Sequence, residues 1–72
     1  MSESTYKIIE FVGTSSVSWE EAAKNAVETA SKTLEDLRIA EVTKLDMIVE
    51  NGKVSSYRAR VSLSFKYKSG DR

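Results

Sequence analysis

The chain has 72 residues, 31% of them charged, with 11 Lys and Arg balanced by 11 Asp and Glu and with no His, Cys or Pro. That inventory excludes Cys/His zinc centres, thiol nucleophiles, Ser-His-Asp triads and any imidazole acid–base step, and the length allows one small domain. Zero net charge speaks against a dedicated nucleic-acid binder, whose affinity comes from Lys and Arg on phosphates. No apolar run approaches the roughly 20 residues of a membrane span, and the opening Met1-Ser-Glu-Ser-Thr-Tyr6 lacks the basic start and apolar stretch of a secretory leader. The expectation is a soluble, cytoplasmic, disulfide-free domain with neither nucleic acid nor membrane as partner. A chain this short buries only about 60% of its unfolded surface, so oligomerisation is the expected further source of stability.

Thr5 to Val12 is rich in β-branched and aromatic residues and reads as a first strand, broken by Gly13-Thr14-Ser15-Ser16. Ser18-Trp19-Glu20-Glu21 fits a capping box: Ser18 accepts from the Glu21 N–H and the Glu21 side chain returns to Ser18. A helix is therefore expected from Trp19 to about residue 36. Trp19, Ala22, Ala23, Ala26, Val27, Ala30, Leu34 and Leu37 follow its apolar spacing, and Glu20–Lys24 and Glu28–Lys32 form i,i+4 pairs. The stripe is mostly alanine, which permits close approach to a wrapping sheet.

Arg38 to Glu50 reads as a second strand, and Asn51-Gly52 is a type I′ hairpin signal. In the third strand Tyr57, Ala59, Val61, Leu63, Phe65 and Tyr67 alternate with Arg58, Arg60, Ser62, Ser64, Lys66 and Lys68. The order β-α-β-β makes strands 1 and 2 run the same way, so an antiparallel sheet needs strand 3 between them: an α+β fold of order 1-3-2. Strand 3 would be about 50 Å long, against roughly 27 Å for the helix, which cannot cover it.

A two-residue turn pairs Glu50 with Lys53, Val42 with Val61 and Ala40 with Leu63 on the helix side. It also places Asp46 opposite Tyr57, and Ile39, Leu45, Met47 and Val49 on the polar side. Apolar residues there require a bulge that changes the facing or, preferably, cover from other subunits.

Taken in order, Tyr6-Lys-Ile-Ile-Glu-Phe-Val-Gly-Thr-Ser15, the Ala-rich helix with Ala30-Ser31-Lys32-Thr33-Leu34, Glu41-Val42, Asn51-Gly52-Lys53-Val54 and Ser64-Phe65-Lys66 make the chain resemble the dodecins over nearly its whole length. The resemblance implies one domain over residues 1–72 and a hollow homododecamer that stores or buffers a small ligand and is not an enzyme. In flavin-binding members (riboflavin, FMN or FAD) stacked flavins sit between subunits. Two positions of that flavin pocket differ here. Ile39 stands where such members carry the stacking Trp, and Arg58 where they carry a Gln, which argues against tight flavin binding.

Ser18-Trp19-Glu20, Arg38-Ile-Ala-Glu-Val42 and Asp46-Met47 are more similar to the subgroup without that Trp, to which calcium binding is attributed. The oxygen donors near the hairpin are Glu41, Asp46, Glu50 and the Asn51 amide, and their spacing is not that of an EF-hand loop. A calcium site would therefore draw Asp46, Glu50 and Glu41 from several copies. The ordinary roles of these residues also stand: Trp19 as a plug for the core, Asp46 as a solvated or ion-paired carboxylate, Glu41 as an ion-pair partner of Arg60, and Arg58, Arg60, Lys66 and Lys68 as a solvated face. The favoured reading is a shell for a small ligand or cation, calcium before flavin. Alternatives are a flavin-storing dodecin and an assembly module without ligand; for an enzyme no paired constellation or phosphate loop exists.

Overall fold

The computed structural model describes residues 5–67; Lys68 and the first four residues lie outside them. The elements are β1 (Thr5–Ser15), α1 (Trp19–Ala30), β2 (Leu37–Glu50) and β3 (Lys53–Tyr67). All pairings are antiparallel and the sheet order is β1-β3-β2, as the connectivity demands. The long axis measures 54 Å, set by β2 and β3, whereas twelve helical residues span about 18 Å.

β1 runs three residues beyond the expected break because Gly13 stays in the ladder opposite Ala59. Its missing side chain is what lets α1 settle: a Cβ there would lie 2.0 Å from the Ala22 carbonyl oxygen and 2.9 Å from the Ala26 Cβ. Ser18 caps the helix, accepting from the Glu21 N–H at 3.0 Å. The other half of the expected capping box is replaced, since the Ser18 N–H donates to Ser15 Oγ at 3.4 Å.

The helix ends six residues before the expected point. The hydroxyls of Ser31 and Thr33 donate back to the carbonyls of Glu28 and Ala30, and the Thr33 and Leu34 N–H groups both converge on the Ala30 carbonyl, which tightens the chain into turns. Asp36 then takes a left-handed conformation (φ 59°) and launches β2. Leu34 and Leu37 still pack against the core, so their apolar spacing was informative although the helix does not include them. Lys32 falls beyond the helix, and among the described residues neither i,i+4 pair closes as an ion pair.

The core holds Ala22, Ala26, Ala30, Ala59, Val61 and Leu63, and among the described residues only Leu63 and Val61 are sizeable side chains with no exposure. Asn51 (φ 54°) and Gly52 (φ 75°) form the left-handed pair of the hairpin. Glu50 faces Lys53, Val42 faces Val61 and Ala40 faces Leu63, as the two-residue turn requires.

Between these points the register departs from the expected one. Thr43 is an extra residue in β2 and Ser55 one in β3, so the segment Lys44–Ile48 is shifted by one position. Each bulge is closed by its own hydroxyl: Thr43 Oγ1 donates to the Arg60 carbonyl at 3.2 Å, and Ser55 Oγ to the Ile48 carbonyl at 3.3 Å. Asp46 thus faces Arg58 rather than Tyr57, while Leu45 faces Ala59 and Met47 faces Tyr57. Leu45 and Met47 therefore share the helix side of the sheet, which corrects their expected polar-side placement; Val49 continues that alternation opposite Val54. Ile39, opposite Ser64, remains on the face turned away from the helix. The bulge changes the facing without burying these residues, because α1 packs on β1 and β3 and hardly touches β2. Leu45 stays 53% and Val49 61% exposed.

Candidate functional site

The sheet face away from the helix is organised in rows that the two registers fix. Ile8, Ser64 and Ile39 form one row, Glu10, Ser62 and Glu41 the next, then Val12, Arg60 and Lys44, and then Thr14, Arg58 and Asp46. It is a mixed surface, with Ile8 62% and Ile39 56% exposed beside charged and hydroxyl groups.

Asp46 is the best-defined group on this face. Arg58 Nε donates to its Oδ1 at 2.7 Å and Arg58 Nη2 to its Oδ2 at 2.8 Å, a two-pronged pair in which both side chains keep solvent contact. These hydrogen bonds, helped by the nearby charges of Arg58 and Arg60, hold the Asp46 carboxyl below its ordinary range, and the same bonds raise Arg58. The Asp46 backbone is held from the helix side: Trp19 Nε1 donates to its carbonyl at 3.0 Å. The Trp19 ring meets Tyr57 edge-on, with centroids 5.1 Å apart. Trp19 is half-buried and acts as a clamp between the start of α1 and the middle of β2.

The candidate cation ligands are not gathered in one protomer. At about 3.3 Å per residue, Glu41 and Glu50 stand roughly 30 Å apart along β2, with Asp46 between them and Glu50 at the hairpin opposite Lys53. Among the described residues no three acidic side chains come together as a metal cluster. Glu41 lies diagonal to Arg60, as expected, but among the described residues no ion pair joins them. The sequence reading missed Glu10, which shares a row with Glu41 and accepts from Ser62 Oγ at 3.4 Å. Only the β1–β3 register, left open at the sequence level, could have placed it there.

At the two positions that the resemblance aligns with a flavin pocket, Ile39 offers an exposed aliphatic side chain without a ring for stacking, and the Arg58 guanidinium is paired with Asp46. The carboxylates, amide and hydroxyls on these strands are oxygen donors, the ligand type of hard cations.

The family model for dodecin matches residues 5–68. This chain belongs to the dodecin family. It is 43% identical over 63 residues to calcium dodecin of Mycobacterium tuberculosis, covering 88% of this chain and 89% of that protein. The solved structure of dodecin from Streptomyces coelicolor superposes with a TM-score of 0.88 at 38% identity, covering 96% of this chain and 99% of that one. The crystal structure of the calcium-chelating M. tuberculosis calcium dodecin, described as having a novel calcium-binding site, superposes with a TM-score of 0.80 at 41% identity over 96% and 99% of the two chains. Among the described residues of this dodecin, no helix is long and apolar enough to cross a membrane.

Proposed function

We propose that this dodecin holds a small ligand or cation as a hollow homododecamer, with calcium preferred over flavin, and that it is a binding and buffering protein rather than an enzyme. The observation that carries the reading is the replacement of the stacking ring by an exposed Ile39 on a face furnished with oxygen donors. The likeness to calcium dodecin supports the choice of cation.

The burial supports assembly. Among the described residues the sealed core is four alanines with Val61 and Leu63, while Ile8, Val12, Ile39, Leu45, Met47, Val49 and Val54 stay exposed. Covering such surface contributes about 25 cal/mol per Å², and packing against further copies is the means available to a chain of this size. Assembly also solves the ligand problem, because Glu41, Asp46 and Glu50, too far apart along one strand to share an ion, can be brought together from several copies.

The test is calcium titration of metal-stripped protein, followed by calorimetry and by the melting midpoint. A real site raises the midpoint with calcium and lowers it with chelator. A midpoint indifferent to both, together with bound flavin in the purified protein, would reverse the preference.

A further inference from the structure

We propose that the sheet face turned away from α1 docks on the same face of a second copy, about a two-fold axis that runs along the row of Ile8, Ser64 and Ile39. This rests on the reading that the chain assembles with itself, and it names the surface and the symmetry of one contact in that assembly.

The rows of this face change character along the strands. Ile8 and Ile39 stand 62% and 56% exposed on either side of Ser64, and α1, which packs on the opposite face, covers neither. On one side of them lies the row of Glu10, Ser62 and Glu41, with two negative charges. On the other side Tyr6 faces Lys66. There the Lys66 N–H donates to the Asp36 carbonyl, and Arg38 stands at the register shift before Ile39 with its guanidinium 3.9 Å from Asp36 Oδ1, so two cations and one carboxylate leave a positive balance. Among the described residues no ion pair includes Glu10, Glu41 or Lys66.

Such a surface is complementary to itself. A two-fold axis along the isoleucine row lays two sheets face to face with their strands antiparallel. Ile39 then meets the partner's Ile39, Glu10 meets the partner's Tyr6 hydroxyl, and Ser62 meets the partner's Lys66, which lies diagonal to Glu10 and Glu41. The contact has an apolar centre with opposite charges to either side. Other positions of the axis fail. Along the acidic row, or along the next row with Arg60 and Lys44, it would lay like charges on one another. Between those two rows it would pair the charges but set Ile39 on the partner's Asp46 and Ile8 on the partner's Thr14. A nucleic acid or an anionic membrane would meet Glu10 and Glu41, and a basic partner would meet Lys66 and Arg60, whereas a second copy satisfies both sides.

Within one copy Glu10 and Lys66 cannot pair, since Glu10 faces Ser62 and Lys66 lies four residues further along β3, about 13 Å away. Mutual rescue between them can therefore arise only between copies. The experiment measures, by native mass spectrometry and sedimentation over a concentration series, where the full-length assembly is half dissociated. It compares wild type with Ile39→Asp, Glu10→Lys, Lys66→Glu and the double reversal Glu10→Lys/Lys66→Glu, with circular dichroism checking each fold. Ile39→Asp should raise the half-dissociation concentration about a hundredfold, because two carboxylates then face each other at the axis. Each single reversal should raise it about fivefold, the scale of an exposed pair, and the double reversal should return it toward wild type. The reversals stand alone if Ile39→Asp does not fold. In addition, Ile39→Cys gives the cysteine-free chain one thiol, and a thiol crosslinker of about 10 Å, the spacing of stacked sheets, should join copies in pairs.

A wild type that stays a single chain at every concentration overturns both this contact and the assembly reading. Unchanged assembly of folded Ile39→Asp, a double reversal no better than the single ones, or assembled Ile39→Cys that the reagent does not join overturns the contact and leaves the assembly reading standing. Crosslinking that proceeds only after a bound flavin is stripped from the protein places a ligand on this face and overturns the contact as well.

Discussion

Arg58 and Asp46 face each other across the β2–β3 ladder through two parallel hydrogen bonds, and a pair of bulges puts them there. The bonds depress the folded Asp46 pKa, so the unfolded chain takes up this proton first. The stabilisation from the pair is complete above the ordinary aspartate value of about 3.9, and it is lost as pH falls through the lower folded value. Urea melts of wild type and Asp46→Asn should therefore differ by a constant between pH 5 and 8 and converge only in stronger acid. The group is exposed, so the difference is small.

Gly13 fixes how closely α1 approaches the sheet. An added methyl would meet the Ala22 carbonyl oxygen, a backbone atom that no rotamer change moves. Gly13→Ala should cost about 3 kcal/mol in denaturant melts, the upper part of the ordinary overpacking range. A cost under about 0.5 kcal/mol would show that the helix can shift outward without loss.

Leu63 is the largest fully buried side chain among the described residues, and it sits opposite both Ile9 and Ala40 in the centre of the sheet. Leu63→Ala should destabilise by about 3 to 4 kcal/mol, a large share of the stability of so small a protomer, because the lost transfer energy is joined by a cavity that neighbours on a rigid sheet cannot fill. Differential melting against the exposed control Leu45→Ala, expected to be much milder in any isolated protomer, separates core from surface.

Ile39 bears on flavin. Ile39→Trp restores a ring at the position where flavin-binding relatives are expected to stack theirs, on an accessible face. Equilibrium titration with riboflavin should show affinity gained by about tenfold over wild type, the scale of one aromatic contact. Equal affinity would mean that the face is closed to the flavin for another reason, with the Arg58–Asp46 pair the first to test.

Much of the architecture was legible because it rests on local chemistry. Ser18 caps the helix, Asn51-Gly52 turns the hairpin, and the alternation after Tyr57 identifies the inner residues of β3. Strand order then followed from connectivity. The helix end was misplaced because Leu34 and Leu37 kept the apolar period while Ser31 and Thr33 turned the backbone with their hydroxyls. The facing of Leu45, Asp46 and Met47 was misplaced because the bulges at Thr43 and Ser55 cancel, leaving the turn and the Val42–Val61 and Ala40–Leu63 pairs in the expected register. That local shift is also what joins Asp46 to Arg58, so the best-defined pair of the candidate site was the part hardest to read. Glu10 was missed since nothing in β1 alone shows which residues of β3 it meets.

On the proposed reading, other copies of the chain close the apolar surface that one copy leaves open. Native mass spectrometry of the purified protein at micromolar concentration tests this directly. Twelve copies of the 8.0 kDa chain, about 96 kDa, with calcium retained is the result the account predicts; a folded single chain of 8.0 kDa as the only species would contradict it.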